Sequence, residues 1–596
     1  MPRNFEPSKY QLDIFDYIEH GQGNLVIEAC AGSGKTSTII ESLEYIPQDK
    51  DVLLVAFNTD IVKELKSRVK GKDNVNVSTC HSLGLRMLQS SLPDKGLSIE
   101  TYKYSVFIRK NLNILTPIKT YSLGNNFKKY RENIETLVDL GRAYLCESIK
   151  DINAIAHKYG IEPLADEVEV ALKVMEWGKE ELDVIDFADM VWLPNILDIS
   201  PRDFLYDFIY IDEAQDLNKA QRELILKCRK ENTRIISAGD QNQCLYTFNG
   251  ADPDSFKELK AIPNTVSMPL SITYRCADTI VDFAQKIVPS IEKNTDGRQG
   301  KIDYDVSVEE ARPGDMILCR NNAPLAKVYN QLIKEGKKAM IRGKDIGSNL
   351  ITLLKLTKQK RMGDPFKSDG VIPRLYAYLF DTRDKIMARN GIDEKMAWET
   401  PFLANLLDSI RAIEILSEGI DDAEEVEKKI KSIFGDNIKT KKNEEPPIFL
   451  STVHKAKGLE ADNVFIACPS LMPSKRAKLK WEIQQEYNLM YVAYTRARNR
   501  LAFLDESDFT DFDLYNSGSM SSLKAIETMV KKILRKEKLP INNVETARTI
   551  VNNATTIKQP VKRPVVIKTL DNNKEKRADD ILKRLKPASA KNKKWF

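Results

Sequence analysis

Short apolar runs along this chain repeatedly end in a polar or glycine-rich turn, and helical periodicity lies between them. "GNLVIEACAGSGKTSTIIESL" opens with a short buried strand, passes a tight glycine turn and predicts a helix from near Lys35. "VLLVAFNTD" predicts a second buried strand, and the apolar run Phe204 to Ile211 in "DFLYDFIYIDEAQDLN" a third. A fourth strand ends at Gly239-Asp240. "PSKYQLDIFDYI" has a capping serine before an amphipathic helix starting near Ser8. Between "TCHSL" and "DFADM" the chain reads as helical, with Phe127, Tyr130, Ile134 and Leu137 recurring at three- and four-residue steps. "KTKKNEEPP", residues 439–447, reads as a polar linker. There is no solenoid-type repeat.

Strand, glycine turn and helix form the setting that a phosphate loop needs. Backbone N–H groups and a helix N-terminus face the phosphates, Lys35 adds a full positive charge and the Thr36 hydroxyl suits Mg²⁺. Ala29 stands where the general pattern has glycine, followed by Cys30, Ala31, Gly32, Ser33 and Gly34. The partner of such a loop is a strand with acids at its C-terminal end. Asp212 and Glu213 follow Ile211 directly, so Asp212 can hold Mg²⁺ through water and Glu213 can polarise the attacking water. Together these elements predict an ATPase.

Composition narrows the setting. The 596 residues are 42% hydrophobic and 30% charged, which predicts a globular chain of about four domain-sized units. No apolar run approaches the roughly 20 residues that span a membrane, and the first twenty residues do not resemble a secretory signal. Both predict an intracellular protein. Eight cysteines, none in a Cys-x-x-Cys pair, indicate buried thiols instead of zinc or a disulfide framework. Net charge of +5 is uninformative about nucleic acid, but from Lys558 onward thirteen Lys or Arg face four Asp or Glu. That tail is a candidate contact for a polyanion or a protein partner, with a plain solvated tail as the alternative.

Taken in order from Gln11 to Arg496, these motifs resemble the superfamily 1A DNA helicases of the UvrD/Rep type. "AFNTDI", "TCHSL" and "DFADMVWLP" are similar to the F-box DNA helicase branch and its phage relatives. The resemblance implies an α/β fold: two RecA-like parallel-sheet P-loop domains, each with a largely helical insertion. The expected bounds are 1–92 and 186–268 for domain 1A, with insertion 1B at 93–185. Domain 2A falls at 269–348 and 446–510, insertion 2B at 349–445, and a basic, partly disordered extension at 511–596.

By the same resemblance, Gln11 reads adenine, Tyr274 stacks on it, and Ser37 takes the place of an arginine often packed there. Gln243 senses the γ-phosphate, Glu460 contacts ribose or phosphate, and Arg275 and Arg496 are arginine fingers. Phe57, Asn58, Thr79, His81, Ser82, Tyr246, Phe248, Thr452 and His454 are the expected DNA contacts, core packing being the alternative for Tyr246. Asn249 replaces an arginine common in relatives. Stacking suits a motor that travels on any sequence. ATP and Mg²⁺ are the implied cofactors; single-stranded DNA and single-strand/duplex junctions are the implied partners.

The implied activity is an ATP-dependent helicase or translocase moving 3′-to-5′, a polarity resting on the "LYTFNGA" form. ATP would lie between the two lobes, drawn together by the arginines, and work in repair, replication or recombination would follow. Expected localisation is the cytoplasm, or the nucleus in a eukaryote. The alternative is a nucleotide-gated DNA-binding ATPase subunit that does not itself unwind. A helicase–nuclease is disfavoured, since residues 497–596 show no evident cluster of metal-binding carboxylates.

Overall fold

The computed structural model describes residues 6–56, 59–118, 127–163, 166–245, 247, 250–252, 254–295, 297–435, 445–512 and 517–536. The chain divides into two compact units. The first comprises Met1–Tyr274, Ser290–Asn294 and Leu479–Asn488; the second comprises Arg275–Pro289, Thr295–Lys478 and Leu489–Phe596. Both are α/β, and each is built on a parallel sheet.

In the first unit the strands are β1 (Asn24–Ala29), β2 (Val52–Val55), β3 (Val75–Ser78), β4 (Ser98–Ile99), β5 (Val184–Ile185), β6 (Tyr206–Ile211), β7 (Arg229–Gly239) and β8 (Thr265–Leu270). The main sheet runs β3-β2-β6-β7-β1-β8, and every pairing in it is parallel. β2 (VLLV) is entirely apolar and buried, and β6 buries all but Asp207, as a parallel sheet covered on both faces requires. Because β1, β7 and β6 are neighbours, the turns after their C-terminal ends lie side by side. The apolar run expected to be strand from Phe204 begins as strand only at Tyr206. A turn in which the Phe204 N–H donates to the Pro201 carbonyl takes its first residues.

Helices Lys103–Leu115, Phe127–Ala143, Ile149–Lys158 and Glu167–Glu180 fill the stretch read as helical. Tyr130, Ile134 and Leu137 are fully buried on the predicted stripe. Phe127, in the first turn of its helix, is 37% exposed. β4 and β5 form a separate two-stranded parallel pair, Ser98 opposite Val184 and Ile99 opposite Ile185. Beside it, Arg142 donates to Asp186 Oδ1 (2.8 Å) and Asp189 Oδ1 (3.0 Å), and Lys103 Nζ reaches Asp189 Oδ2 at 2.8 Å. The "DFADM" acids thus hold two buried cations.

In the second unit the strands are β9 (Lys301–Val306), β10 (Met316–Cys319), β11 (Ala339–Arg342), β12 (Phe434–Gly435), β13 (Ile448–Thr452), β14 (Ala461–Ala467) and β15 (Ala497–Leu504), ordered β12-β11-β13-β10-β14-β15-β9 and parallel throughout. Helices Lys344–Leu356, Val371–Asn390, Glu394–Glu399, Pro401–Leu416 and Ala423–Ile433 lie between β11 and β13. Their apolar residues form one core with the sheet. Beyond residue 511 comes a helix, Ser517–Lys536, whose Leu523, Ile526 and Val530 enter that core. Most of the expected linker, and the basic tail from residue 537, lie outside the described residues. Among the described residues no helix is long and apolar enough to cross a membrane.

Candidate functional site

The turn after β1 is a buried cradle. Ala29, Cys30, Ala31 and Ser33 are buried, and the Ser33 N–H donates to the Cys30 carbonyl. Gly32 (φ 73°) and Gly34 (φ 82°) occupy the left-handed region that glycine alone enters freely. Gly34 caps the helix Lys35–Ser42, so the orphan N–H groups of its first turn face the cradle. Ser33 Oγ, buried, has no hydrogen-bond partner among the described residues. A phosphate group fits such a surface.

At the end of β6 the two acids divide their contacts. Lys35 Nζ lies 2.7 Å from Glu213 Oε1 and 3.8 Å from Asp212 Oδ1. The Thr36 hydroxyl donates to Asp212 Oδ2 at 3.0 Å. Burial raises the Asp212 carboxyl above its usual range, against the pull of Lys35. Glu213 sits at φ 52°, ψ 42°, an uncommon conformation for a non-glycine residue, which turns its carboxylate out of the strand. Thr36 and Asp212 form a hard oxygen pair of the kind that suits Mg²⁺.

Gln215 and Asp240 were not foreseen from the sequence, yet they join the acids to the end of β7. Gln215 Nε2 donates to Glu213 Oε2 (2.5 Å), and Gln215 Oε1 accepts from the Asp240 N–H (3.1 Å). Gly239 makes room for this contact, because a Cβ there would meet Gln215 Oε1 and the Phe256 ring and displace them. Asp240, raised by burial, accepts at Oδ2 from Gln243 Nε2 at 2.8 Å. Lys35, Thr36, Asp212, Glu213, Gln215, Asp240 and Gln243 therefore form one connected group.

Gln11 lies beside this group. Ser8 caps the helix Lys9–His20, and Gln11 Oε1 accepts from the Ser8 N–H in a reciprocal capping box. Its Nε2 donates to Thr38 Oγ1 at 2.9 Å, which leaves one N–H of the buried amide for a ligand. Ser37 Oγ accepts from Arg68 at 3.3 Å, a guanidinium that the sequence reading did not associate with Ser37. The Tyr274 N–H donates to the Gly32 carbonyl, and the tyrosine is 39% exposed.

The expected nucleic-acid contacts are dispersed. Thr79, buried after β3, caps the helix Cys80–Ser91 by accepting from the Ser82 N–H at 3.1 Å. His81 is half-buried and held below its ordinary range by that burial. Phe57, Asn58, Tyr246 and Phe248 lie outside the described residues.

In the second unit Arg275 bonds through Nε to Glu460 and through Nη1 to the Thr495 carbonyl (3.3 Å). Burial pushes Glu460 up, but hydrogen bonds from Arg498 and Arg275 outweigh it and leave the carboxyl below its usual range. Arg496 is fully buried, with Nε on the Val492 carbonyl (3.0 Å) and Nη1 on the Leu459 carbonyl (3.1 Å). Burial first, and the Arg275 charge second, push its guanidinium down to about 9, so it stays cationic at neutral pH. Thr452 is buried at the end of β13, and His454 is half-buried in the turn that follows.

Comparison with known proteins matches residues 13–263 to the UvrD/REP helicase N-terminal domain and residues 344–506 to the UvrD-like helicase C-terminal domain. F-box DNA helicase protein 1 of Schizosaccharomyces pombe is 24% identical over 521 residues, covering 81% of this chain and 55% of that protein. ATP-dependent DNA helicase PcrA of Bacillus subtilis is 24% identical over 314 residues, covering 48% of this chain and 39% of that protein. PcrA of Staphylococcus aureus is 26% identical over 308 residues, covering 48% and 40%.

Proposed function

The chain belongs to the UvrD-like superfamily 1 helicases, and from that premise we propose that it hydrolyses ATP to move 3′-to-5′ along single-stranded DNA and to unwind duplex ahead of it. The observation that carries this reading is the connected group Lys35, Thr36, Asp212 and Glu213 in the turns after β1 and β6, the two strands that flank β7. PcrA is named an ATP-dependent DNA helicase and F-box DNA helicase protein 1 a DNA helicase, and the chain spans 39% and 55% of their respective lengths.

The chemistry follows from the partners that each side chain can exchange. Lys35 leaves Glu213 for the phosphates of ATP, which frees the Glu213 carboxylate to accept a proton from the attacking water. Gln215 keeps that carboxylate oriented through its second oxygen. Arg275 and Arg496 supply permanent positive charge to the transferring phosphoryl group, a role that suits the guanidinium fork. Mg²⁺, held by Thr36 and Asp212, would neutralise charge on the phosphate oxygens. The remaining N–H of Gln11 and the Tyr274 ring are offered to the base, and Glu460 to the ribose. DNA, in the cytoplasm or in a eukaryotic nucleus, is the substrate to which Phe57, Asn58, Thr79, His81, Ser82, Tyr246, Phe248, Thr452 and His454 are assigned.

Strand displacement on duplexes with a 3′ or a 5′ single-stranded overhang tests the reading. Displacement with ATP from the 3′ overhang alone is the expected result. Displacement from the 5′ overhang would reverse the polarity. Hydrolysis with no displacement from either would replace the helicase by a nucleotide-gated ATPase.

A further inference from the structure

The turn after β7 is gripped from outside by one face of one helix. Trp481, Gln484 and Asn488 stand at i, i+3 and i+7 in the helix Lys480–Tyr494, and all three belong to the first unit. Asn488, buried, donates from Nδ2 to the carbonyls of Cys244 (3.0 Å) and Gln241 (3.4 Å). Those carbonyls lie on either side of Gln243. Gln484 Nε2 donates to Asn488 Oδ1 at 3.0 Å, which fixes the amide with its nitrogen toward the turn.

The far end of the same turn is held as well. The Thr247 carbonyl accepts from Tyr159 Oη (3.2 Å). Tyr159 is in turn placed by a hydroxyl contact with Tyr144 (2.8 Å) and by the Trp481 ring, whose centroid is 5.6 Å away. The Trp481 indole N–H donates to the neighbouring Lys158 carbonyl at 3.2 Å. The turn is thus held at Gln241 and Cys244 on one side and at Thr247 on the other. Within it Gln243 bonds Asp240 on the phosphate side, while Tyr246 belongs to the segment assigned to DNA.

We propose that Asn488 is a positioning residue that couples DNA contact to ATP turnover. It holds the carbonyls on either side of Gln243 against the helix, so that a shift of the turn on DNA moves Gln243 and its Asp240 contact instead of being absorbed by a loose loop. Trp481 and Tyr159 act with it by fixing the other end. The proposal rests on the helicase reading above, and it adds residues that touch neither nucleotide nor DNA. Side chains that only stabilised the fold would alter both basal and stimulated hydrolysis together; a coupling contact separates them.

The test is steady-state ATP hydrolysis by the full chain with and without saturating single-stranded DNA, for Asn488→Asp, Asn488→Gln and Trp481→Phe. Asn488→Asp removes the donor and sets a carboxylate against two carbonyls. The DNA-stimulated kcat should fall at least about tenfold, with KM for ATP within about twofold. Asn488→Gln, which keeps the donor on a longer arm, should recover part of the stimulation. Trp481→Phe keeps an aromatic ring, though a smaller one, and loses the N–H, and should lower the ratio of stimulated to basal rate about threefold. It carries the test if Asn488→Asp does not fold. Stimulated rates at the wild-type level, or basal and stimulated rates falling by the same factor, would overturn the proposal. A wild-type chain that hydrolyses ATP with no response to DNA would instead reject the helicase reading beneath it.

Discussion

The two units hold their candidate charges in different ways. In the first, side chains hold side chains: Lys35 pairs with Glu213, Thr36 with Asp212, and Gln215 bridges Glu213 to the Asp240 backbone. In the second, Arg496 is tied to two backbone carbonyls, and Arg275 to one carboxylate and one carbonyl. A lysine on a carboxylate can change partner when a phosphate arrives. A guanidinium forked across Val492 and Leu459 keeps its position and offers its charge from there. One set is arranged for exchange, the other for a fixed field.

The contrast extends to the insertions. Arg142 is bonded to Asp139, Asp186 and Asp189, whereas among the described residues buried Arg411 makes no close guanidinium hydrogen bond and is stabilised mainly by the nearby Tyr376, Glu414 and Asp408. A buried charge bonded through both terminal nitrogens to carboxylates specifies one arrangement; one with fewer such bonds does so less strongly. Glu414 in the same cluster is pushed up to about 7 by burial, against the pull of Tyr376 and Arg411.

The largest effect should come from the fixed field. Arg496→Lys, which keeps the charge but cannot span both carbonyls, should lower DNA-stimulated kcat on the order of 10³-fold. A near-normal rate would mean that charge alone, without the fork, is what matters. Next comes the exchangeable set. Gln215→Ala should cost about tenfold in kcat, with little change in KM, by releasing Glu213 from its second contact. An equal rise in KM would place Gln215 in binding instead.

The smallest effect concerns the under-bonded cluster. Burial raises Glu414 from 4.5 to about 7, so the folded chain binds this proton more readily than the unfolded chain between those values. Unfolding free energy should therefore fall as pH rises from 4.5 to 7, by up to about 1.4 kcal/mol per pH unit. Denaturant unfolding of the wild type and Glu414→Gln across that window checks the sign: the variant should lack this component. Identical pH dependence would remove Glu414 from the account.

How much of this was readable beforehand follows from the kind of signal each residue leaves. The turns after β1 and β6 were legible because apolar runs buried on both faces stop abruptly at glycines or paired acids. The stripe Tyr130, Ile134 and Leu137 was legible from its period, while Phe127 was not, since a first-turn residue need not face the core. Gln215 left no signal. A neutral amide has no pattern of its own, and its role depends on β7 lying beside β6 and on Gly239 making room. Arg68 likewise meets Ser37 only through helix packing. Periodicity also says which face of an insertion helix is apolar, but not that it will join the core of the sheet. In the extension, the basic average of the tail hid the stripe Leu523, Ile526 and Val530.

The central claim is that the Lys35 cluster hydrolyses ATP in response to DNA. Steady-state hydrolysis by the wild type and by Lys35→Ala, each with and without single-stranded DNA, tests it most directly when single-stranded DNA binding is followed alongside. Hydrolysis that rises with DNA in the wild type and vanishes in Lys35→Ala, with DNA binding retained, is the predicted result. Normal turnover in Lys35→Ala would contradict the account.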